Sequence, residues 1–267
     1  MISYAEVRPT QRTPFARYRH SLWLLTKRDL RVRYSTSALG YVWSILDPLL
    51  MAGIYYFVFV VIFQRQRVGE DPYIVFLLAA LLPWMWFNGT VSDCTRAFLR
   101  EAKLIRSTTI PRTIWVNRIV LSKGIEFIAS LPVLAIFAIA FGAQLNLDIV
   151  FFPLAVVLQA ILTVGVGMIV APLVVFFRDL ERAVKLILRL LFYASPIVYG
   201  TQAVPESIRS LTMLNPLSGI FSLYRSMFFP HELNWTAVGL AAIISLILLA
   251  VGIWVFSRTE RAVLKEI

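Results

Sequence analysis

The sequence predicts an all-α integral membrane protein. It has six transmembrane helices, an amphipathic interfacial helix at the amino end, re-entrant outer helices between spans five and six, and both termini in the cytoplasm. Three observations predict it. Of the 267 residues, 59% are hydrophobic and only 15% charged, and the mean hydropathy is +0.75, more apolar than a soluble core of this size requires. Several apolar runs reach about 18 residues or more, the length that crosses roughly 30 Å of hydrocarbon. The net charge of +11 is sorted by segment. With the ends and charged turns taken alternately as inside and outside, all 26 Lys and Arg except Arg65, Arg67, Arg209 and Arg225 fall inside, which sets the orientation by the positive-inside rule. Charge sorted in this way reports topology and gives no reason to expect a nucleic-acid partner.

Residues 1–14 are polar and read as a mobile cytoplasmic tail; no cleavable signal peptide is expected, since 1–38 is basic and lacks an apolar core with a small-residue cleavage site. Over 15–35 the pattern is that of an amphipathic helix, with Phe15, Tyr18, Leu22, Trp23, Leu25, Leu30, Val32 and Tyr34 on one side and Arg17, His20, Lys27, Arg28 and Arg31 on the other. Arg19, Leu24, Asp29 and Arg33 break it. Such a basic helix lies in the inner headgroup layer, as an anchor or as a part that moves with a transport cycle.

The transmembrane domain covers 36–260. Span one, 39–63, contains Asp47-Pro48 and a stripe of Trp43, Asp47, Met51, Tyr55 and Phe59 at every fourth residue. A mid-bilayer carboxylate is costly, so Asp47 faces protein or water, or caps a bend made by Pro48. Span two, 72–91, carries Pro83 with Trp84, Trp86 and Phe87. The inner loop 93–118 interleaves Arg96, Arg100, Lys103, Arg106, Arg112 and Arg118 with Phe98, Leu99, Leu104 and Ile105. Its spacing over 96–106 predicts one or two short helices, stopped by the turn at 108–111. It is either a solvated topological loop or a docking surface. Span three is 120–141, with Lys123 and Glu126 paired at its inner end; span four is 149–177, with Gly165, Gly167 and Ala171 permitting close helix approach. A short fifth span, 186–199, breaks at Pro196. Residues 205–230, divided at Asn215-Pro216, read as two helices dipping into the outer leaflet. Span six is 235–256, and 261–267 is a cytoplasmic tail.

No phosphate-binding loop, zinc-protease motif or nucleophile elbow is present. The lone Cys94 excludes an intrachain disulfide, and His20 and His231 read as ordinary surface residues. The chain is therefore not expected to be an enzyme or to bind a cofactor or metal. If it moves a solute uphill, the energy comes from elsewhere.

Five segments stand in order along the chain: Arg28-Asp29-Leu30 with Arg33-Tyr34, Ser37, Leu39-Gly40, Trp43 and Pro48; Leu82-Pro83-Trp84 with Phe87; Phe177-Arg178-Asp179-Leu180; Phe192 with Ser195-Pro196-Ile197 and Tyr199; and Asn215-Pro216 with Tyr224-Arg225. Together they resemble the type-2 ABC exporters of cell-surface polysaccharides, the transmembrane subunits that export O-antigen, teichoic acid and mycobacterial galactan. The resemblance runs from about residue 20 to 262. It implies a six-span homodimer in the bacterial plasma membrane, paired with two copies of a separate ATPase subunit that holds ATP and Mg²⁺. The cargo it implies is a polyprenyl-diphosphate-linked polysaccharide moved outward through a central channel.

The family's ATPase-contacting loop carries over to Arg96, Arg100, Lys103, Arg106 and Arg112. Sugar C–H faces pack on aromatic rings, which makes Trp43, Tyr55, Tyr56, Phe59, Trp84, Trp86, Tyr193 and Tyr199 candidates for the channel wall, the alternative being packing or lipid contact. Arg33 and Arg189 are candidates for the diphosphate, the alternative being snorkelling. Two other functions fit less of the sequence: an exporter of the same architecture for a small lipid or drug, and a membrane-embedded transferase, for which no acidic or metal-binding cluster is visible.

Overall fold

The computed structural model describes residues 13–35, 42–62, 69–108 and 110–266. The start of the amino-terminal tail, the entry to the first span at 36–41, the outer turn at 63–68 with Arg65 and Arg67, and residue 267 lie outside the described residues. The described residues form helices and turns, with no strand among them.

Among the described residues four helices are long and apolar enough to cross a membrane: α3 (Tyr73–Cys94), α6 (Ile114–Ala140), α7 (Phe152–Phe176, entered by a 3₁₀ turn over Leu147–Phe151) and α11 (Trp235–Glu266). Of α3's most apolar stretch 83% is buried, against 22% for α11. α3 is thus the enclosed element, and its outward faces are covered by α6, α7, α2 (Val42–Tyr56) and α10 (Pro216–Ser226). α7 and α11 pack closest because both present glycine: a Cβ on Gly165 would stand 2.6 Å from the Leu249 backbone nitrogen, and one on Gly252 would stand 2.5 Å from the Gly165 carbonyl oxygen. In a membrane, where apolar burial gives no net drive between helices, such backbone approach is a main source of packing energy.

The stretches read as spans one and five take shorter forms. α2 runs unbroken through Pro48 and passes into a π-helical turn over Phe57–Ile62; the missing proline N–H lies nine residues before that turn and does not account for it. α8 (Leu180–Ala194) begins inside the charged turn, six residues before the expected start of span five at 186. Leu188 and Phe192 are buried on α3 and α7, while Leu186, Ile187, Leu190 and Tyr193 are more than half exposed. Pro196 ends the helix, and 195–200 is irregular. α6 likewise starts at Ile114, before the expected 120, so Arg118 lies on a helix and not in a loop.

α1 (Pro14–Ser35) lies along α6, and α4 (Ala97–Arg100) with α5 (Ala102–Ser107) makes a tight hairpin between α3 and α6. At the opposite end α9 (Glu206–Met213) leaves Ile208, Leu211 and Leu214 exposed, whereas every residue of α10 from Leu217 on is buried. The break between them is built by Asn215: its Oδ1 accepts the Leu217 N–H at 3.1 Å, capping α10, and its Nδ2 donates to Ser195 Oγ at 2.7 Å.

Candidate functional site: an ionic knot beneath an aromatic seam

Apart from Lys123 and Glu126, which sequence spacing paired and the structure joins, the basic end of the bundle is held by side chains that spacing did not bring together. Arg118 on α6, 5% exposed at its side chain, donates to both carboxylate oxygens of Asp29 on α1 (2.7 and 2.8 Å) and reaches Glu101 at 3.4 Å. Its guanidinium also lies 5.0 Å from the centre of the Trp115 ring. Arg28 pairs with the same Glu101 and lies 3.4 Å from Asp29. Glu101 is the residue between α4 and α5, so the hairpin's bend, α1 and α6 meet in one cluster. A second cluster lies nearby: Arg33 of α1 holds Asp93 at 2.8 Å and Glu126 at 2.9 Å, and Lys123 donates to Glu126 at 3.1 Å. Tyr18 closes the α1–α6 contact, accepting from Asn117 Nδ2 at 2.7 Å.

The hairpin is two-sided. Ala97, Phe98 and Ile105 are buried, with Phe98 against Phe256 of α11 at 5.9 Å between ring centres; burying one Phe outside the hydrocarbon contributes about 1.5–3 kcal/mol. Arg100, Lys103 and Arg106 face away from the bundle and are exposed. The two other basic residues expected on that surface are engaged within the chain. Arg112 donates to the Ile110 carbonyl at 2.7 Å, and Arg96 donates to Glu181 of α8 at 2.5 Å. Lys185, one turn further along α8, donates to the same Glu181 oxygen at 2.6 Å. These two hydrogen bonds, from Arg96 first and Lys185 second, pull the Glu181 carboxyl down to about 2.

Above the knot the aromatics sort by helix face. Tyr55 stacks on Phe192 at 5.5 Å and on Phe59 at 6.4 Å; Trp84 meets Phe192 edge-on at 5.5 Å, and Phe192 meets Tyr193 at 5.2 Å. Tyr199 closes this seam, donating its hydroxyl to the Tyr193 carbonyl at 3.0 Å. Trp84 is buried in the seam, Tyr55, Tyr56, Phe59 and Tyr199 are half-buried, and Trp43 and Tyr193 are exposed at 41% and 64%. Trp86, two residues from Trp84, points to the opposite side of α3. It stacks on Phe127 at 5.2 Å and donates Nε1–H to the Val120 carbonyl at 3.1 Å. Its placement as a wall residue is therefore corrected: it fills the α3–α6 contact. Of the two arginines expected at a diphosphate, Arg33 sits in the second ionic cluster and Arg189 is exposed on α8.

At the far end Arg225, counted from sequence among four outer basic residues, is buried. Its guanidinium lies 3.5 Å from the centre of the Phe76 ring and donates to the carbonyls of Ile197 (2.7 Å), Phe76 (3.3 Å) and Tyr199 (3.5 Å), with Glu232 at 3.8 Å. Tyr73 donates to the Val198 carbonyl at 2.9 Å. The irregular stretch after α8 thus has its backbone acceptors filled by side chains, as buried backbone requires. Beside it Glu70, His231 and Glu232 bring their ligating atoms within 4.8 Å of one another, although Glu232 already faces Arg225.

Asp29 showed in the sequence as a charge on the apolar side of α1 and within the Arg28-Asp29-Leu30 segment, and a charge out of place is the available signal for a buried pair. Glu101 carried no signal, because its partners come from other elements; for Glu181 the i,i+4 spacing to Lys185 was legible and the pair with Arg96 was not. The geometry offers no nucleophile–base pair in the aromatic seam. What it can do is tie an exposed basic hairpin mechanically to the helices behind it, and offer an open aromatic and apolar face on α2 and α8.

Comparison with known proteins adds the following. Residues 20–229 match the family model described as ABC-2 type transporter. An O-antigen export system permease protein RfbA of Klebsiella pneumoniae is 36% identical over 240 residues, 90% of this chain and 92% of that protein. The protein of that name from Myxococcus xanthus is 33% identical over 218 residues, 81% and 83% of the two chains. The polysialic acid transport protein KpsM of Escherichia coli is 22% identical over 243 residues, 89% and 92% of the two chains.

Proposed function

The chain belongs to the ABC-2 type transporter family, and from that premise we propose that it is the channel-forming transmembrane subunit of an ATP-driven exporter. The cargo is a polyprenyl-diphosphate-linked polysaccharide moved from the cytoplasmic to the outer side of the bacterial inner membrane. Two copies form the channel, and two copies of a separate nucleotide-binding subunit supply ATP hydrolysis with Mg²⁺. The polysaccharide class rests on relatives named for O-antigen and polysialic acid export.

The observation that carries the division of labour is the two-sided α4–α5 hairpin. One side is fastened through Phe98, Ile105 and Glu101, and the other presents Arg100, Lys103 and Arg106, exposed among the described residues. Such a surface suits an acidic partner that pushes on a fixed part. The open face of Trp43, Tyr55 and Tyr193, with the apolar residues of α8, is where the second copy and the passing sugar chain would meet. Rings there stack on sugars with little regard for linkage. Arg189 is left as the diphosphate contact on α8.

Affinity purification of the tagged chain is expected to bring down an ATPase subunit, and Arg100→Glu with Arg106→Glu to weaken that complex at least about tenfold, as charge juxtaposition at an interface does. Unchanged assembly and ATP turnover would remove the docking assignment. Depletion of the chain is expected to leave lipid-linked glycan on the inner leaflet; an unchanged glycan pool would favour a small lipid or drug as cargo.

A further inference from the structure

The hairpin is joined to its neighbours by two unlike kinds of contact. To α1 and α6 it is joined through Glu101, inside a cluster that includes the twofold Arg118–Asp29 pair and a buried guanidinium. Separating these parts would strand a buried charge, so α1, α6 and the hairpin move together. To α8 it is joined through Arg96 and Glu181, whose side chains are 47% and 19% exposed. Glu181 is also held by Lys185 of its own helix. When Arg96 leaves, Glu181 keeps a partner, so this contact opens and closes without stranding a charge.

α8 itself is lightly seated, buried only at Leu188 and Phe192, and it carries Arg189 and Tyr193 on its open side. We propose that the Arg96–Glu181 pair is the releasable strut through which movement of the α4–α5 hairpin is delivered to α8, and that Arg96 and Glu181 are positioning residues for transport and not ATPase contacts. The proposal rests on the function proposed above, since it takes the hairpin as the part that the ATPase moves.

The test uses the full complex in proteoliposomes, comparing wild type, Arg96→Glu, Glu181→Arg and the exchanged pair, with ATP turnover and polysaccharide export measured together. The expected result is that each single variant still assembles with the ATPase subunit and turns over ATP, while export per ATP falls about fivefold or more, the lower end of what coupling between two sites supplies. The exchanged pair, in which the new glutamate faces the new arginine and Lys185, recovers most of that loss. A structural role alone would lower assembly, turnover and export in proportion. The proposal is overturned if the single variants export at the wild-type ratio, if turnover and export fall together, or if the exchanged pair is no better than either single variant. Failure of the wild-type chain to assemble with any ATPase would instead overturn the proposed function.

Discussion

Arg118 and Asp29 are the pair on which the basic end most depends. Their side chains are 5% and 20% exposed; truncating Arg118 leaves Asp29 and Glu101 with the more exposed Arg28 as their shared partner, at a cost below the roughly 3–5 kcal/mol of a buried charge left with none. Arg118→Ala is therefore expected to lower the unfolding temperature of the purified protein markedly, and Arg118→Met with Asp29→Leu to recover part of the loss; equal melting of Arg118→Ala and wild type would contradict the geometry. Glu181 gives a pH prediction whose sign is fixed. Its carboxyl is held down, to about 2, by Arg96 and Lys185. The stabilisation it gives is complete above the ordinary carboxylate range, declines as pH falls below that range, and is gone below about 2. The pair therefore stays ionised at every working pH, and it responds to salt because it is exposed. Titration of Glu181 by carboxyl NMR should show its midpoint rising toward the ordinary value in Arg96→Gln; an unmoved midpoint would contradict the contact. At the far end, Arg225→Lys is expected to open the 195–200 stretch to proteolysis, because the compact ammonium lacks the planar fork whose three nitrogens each reach a separate carbonyl.

At the scale of elements, apolarity set the expected start of span five at 186, whereas α8 begins at Leu180. Glu181, Arg182 and Lys185 are good helix formers, and Leu188 with Phe192 continues a helical spacing that begins in the charged turn; judging by apolarity alone placed the start too late. The α4–α5 pair was legible because Arg96 to Arg106 has helical spacing and Thr108 to Pro111 stops it. Its ionic partners were not, since Glu101 meets residues 73 and 17 positions away. Trp84 and Trp86 show the same limit: a cluster in sequence becomes two opposite faces on a helix. Gly165, legible as a small residue, tests the α7–α11 contact. Gly165→Leu should abolish folded protein in the membrane, because any Cβ there meets the Leu248–Leu249 backbone, whereas Gly239→Ala, with open space around it, should be accumulated normally.

Across the whole molecule, composition and charge layout made the helical membrane class legible, and the ordered motifs made the family legible. The long apolar runs of α3, α6, α7 and α11 announced themselves by length. The ion pairs that join α1, the α4–α5 segment, α6 and α8 were written in no run or motif, because they draw together side chains from separate elements. In the function we propose, this chain forms the path and a separate ATPase supplies the work through the hairpin. The direct measurement is ATP-dependent movement of polyprenyl-diphosphate-linked polysaccharide across proteoliposomes made with the chain alone, the ATPase subunit alone, or both. The account predicts export only with both and only with hydrolysable ATP; export by the chain alone, or a complex that hydrolyses ATP and leaves the polysaccharide on its original side, would contradict it.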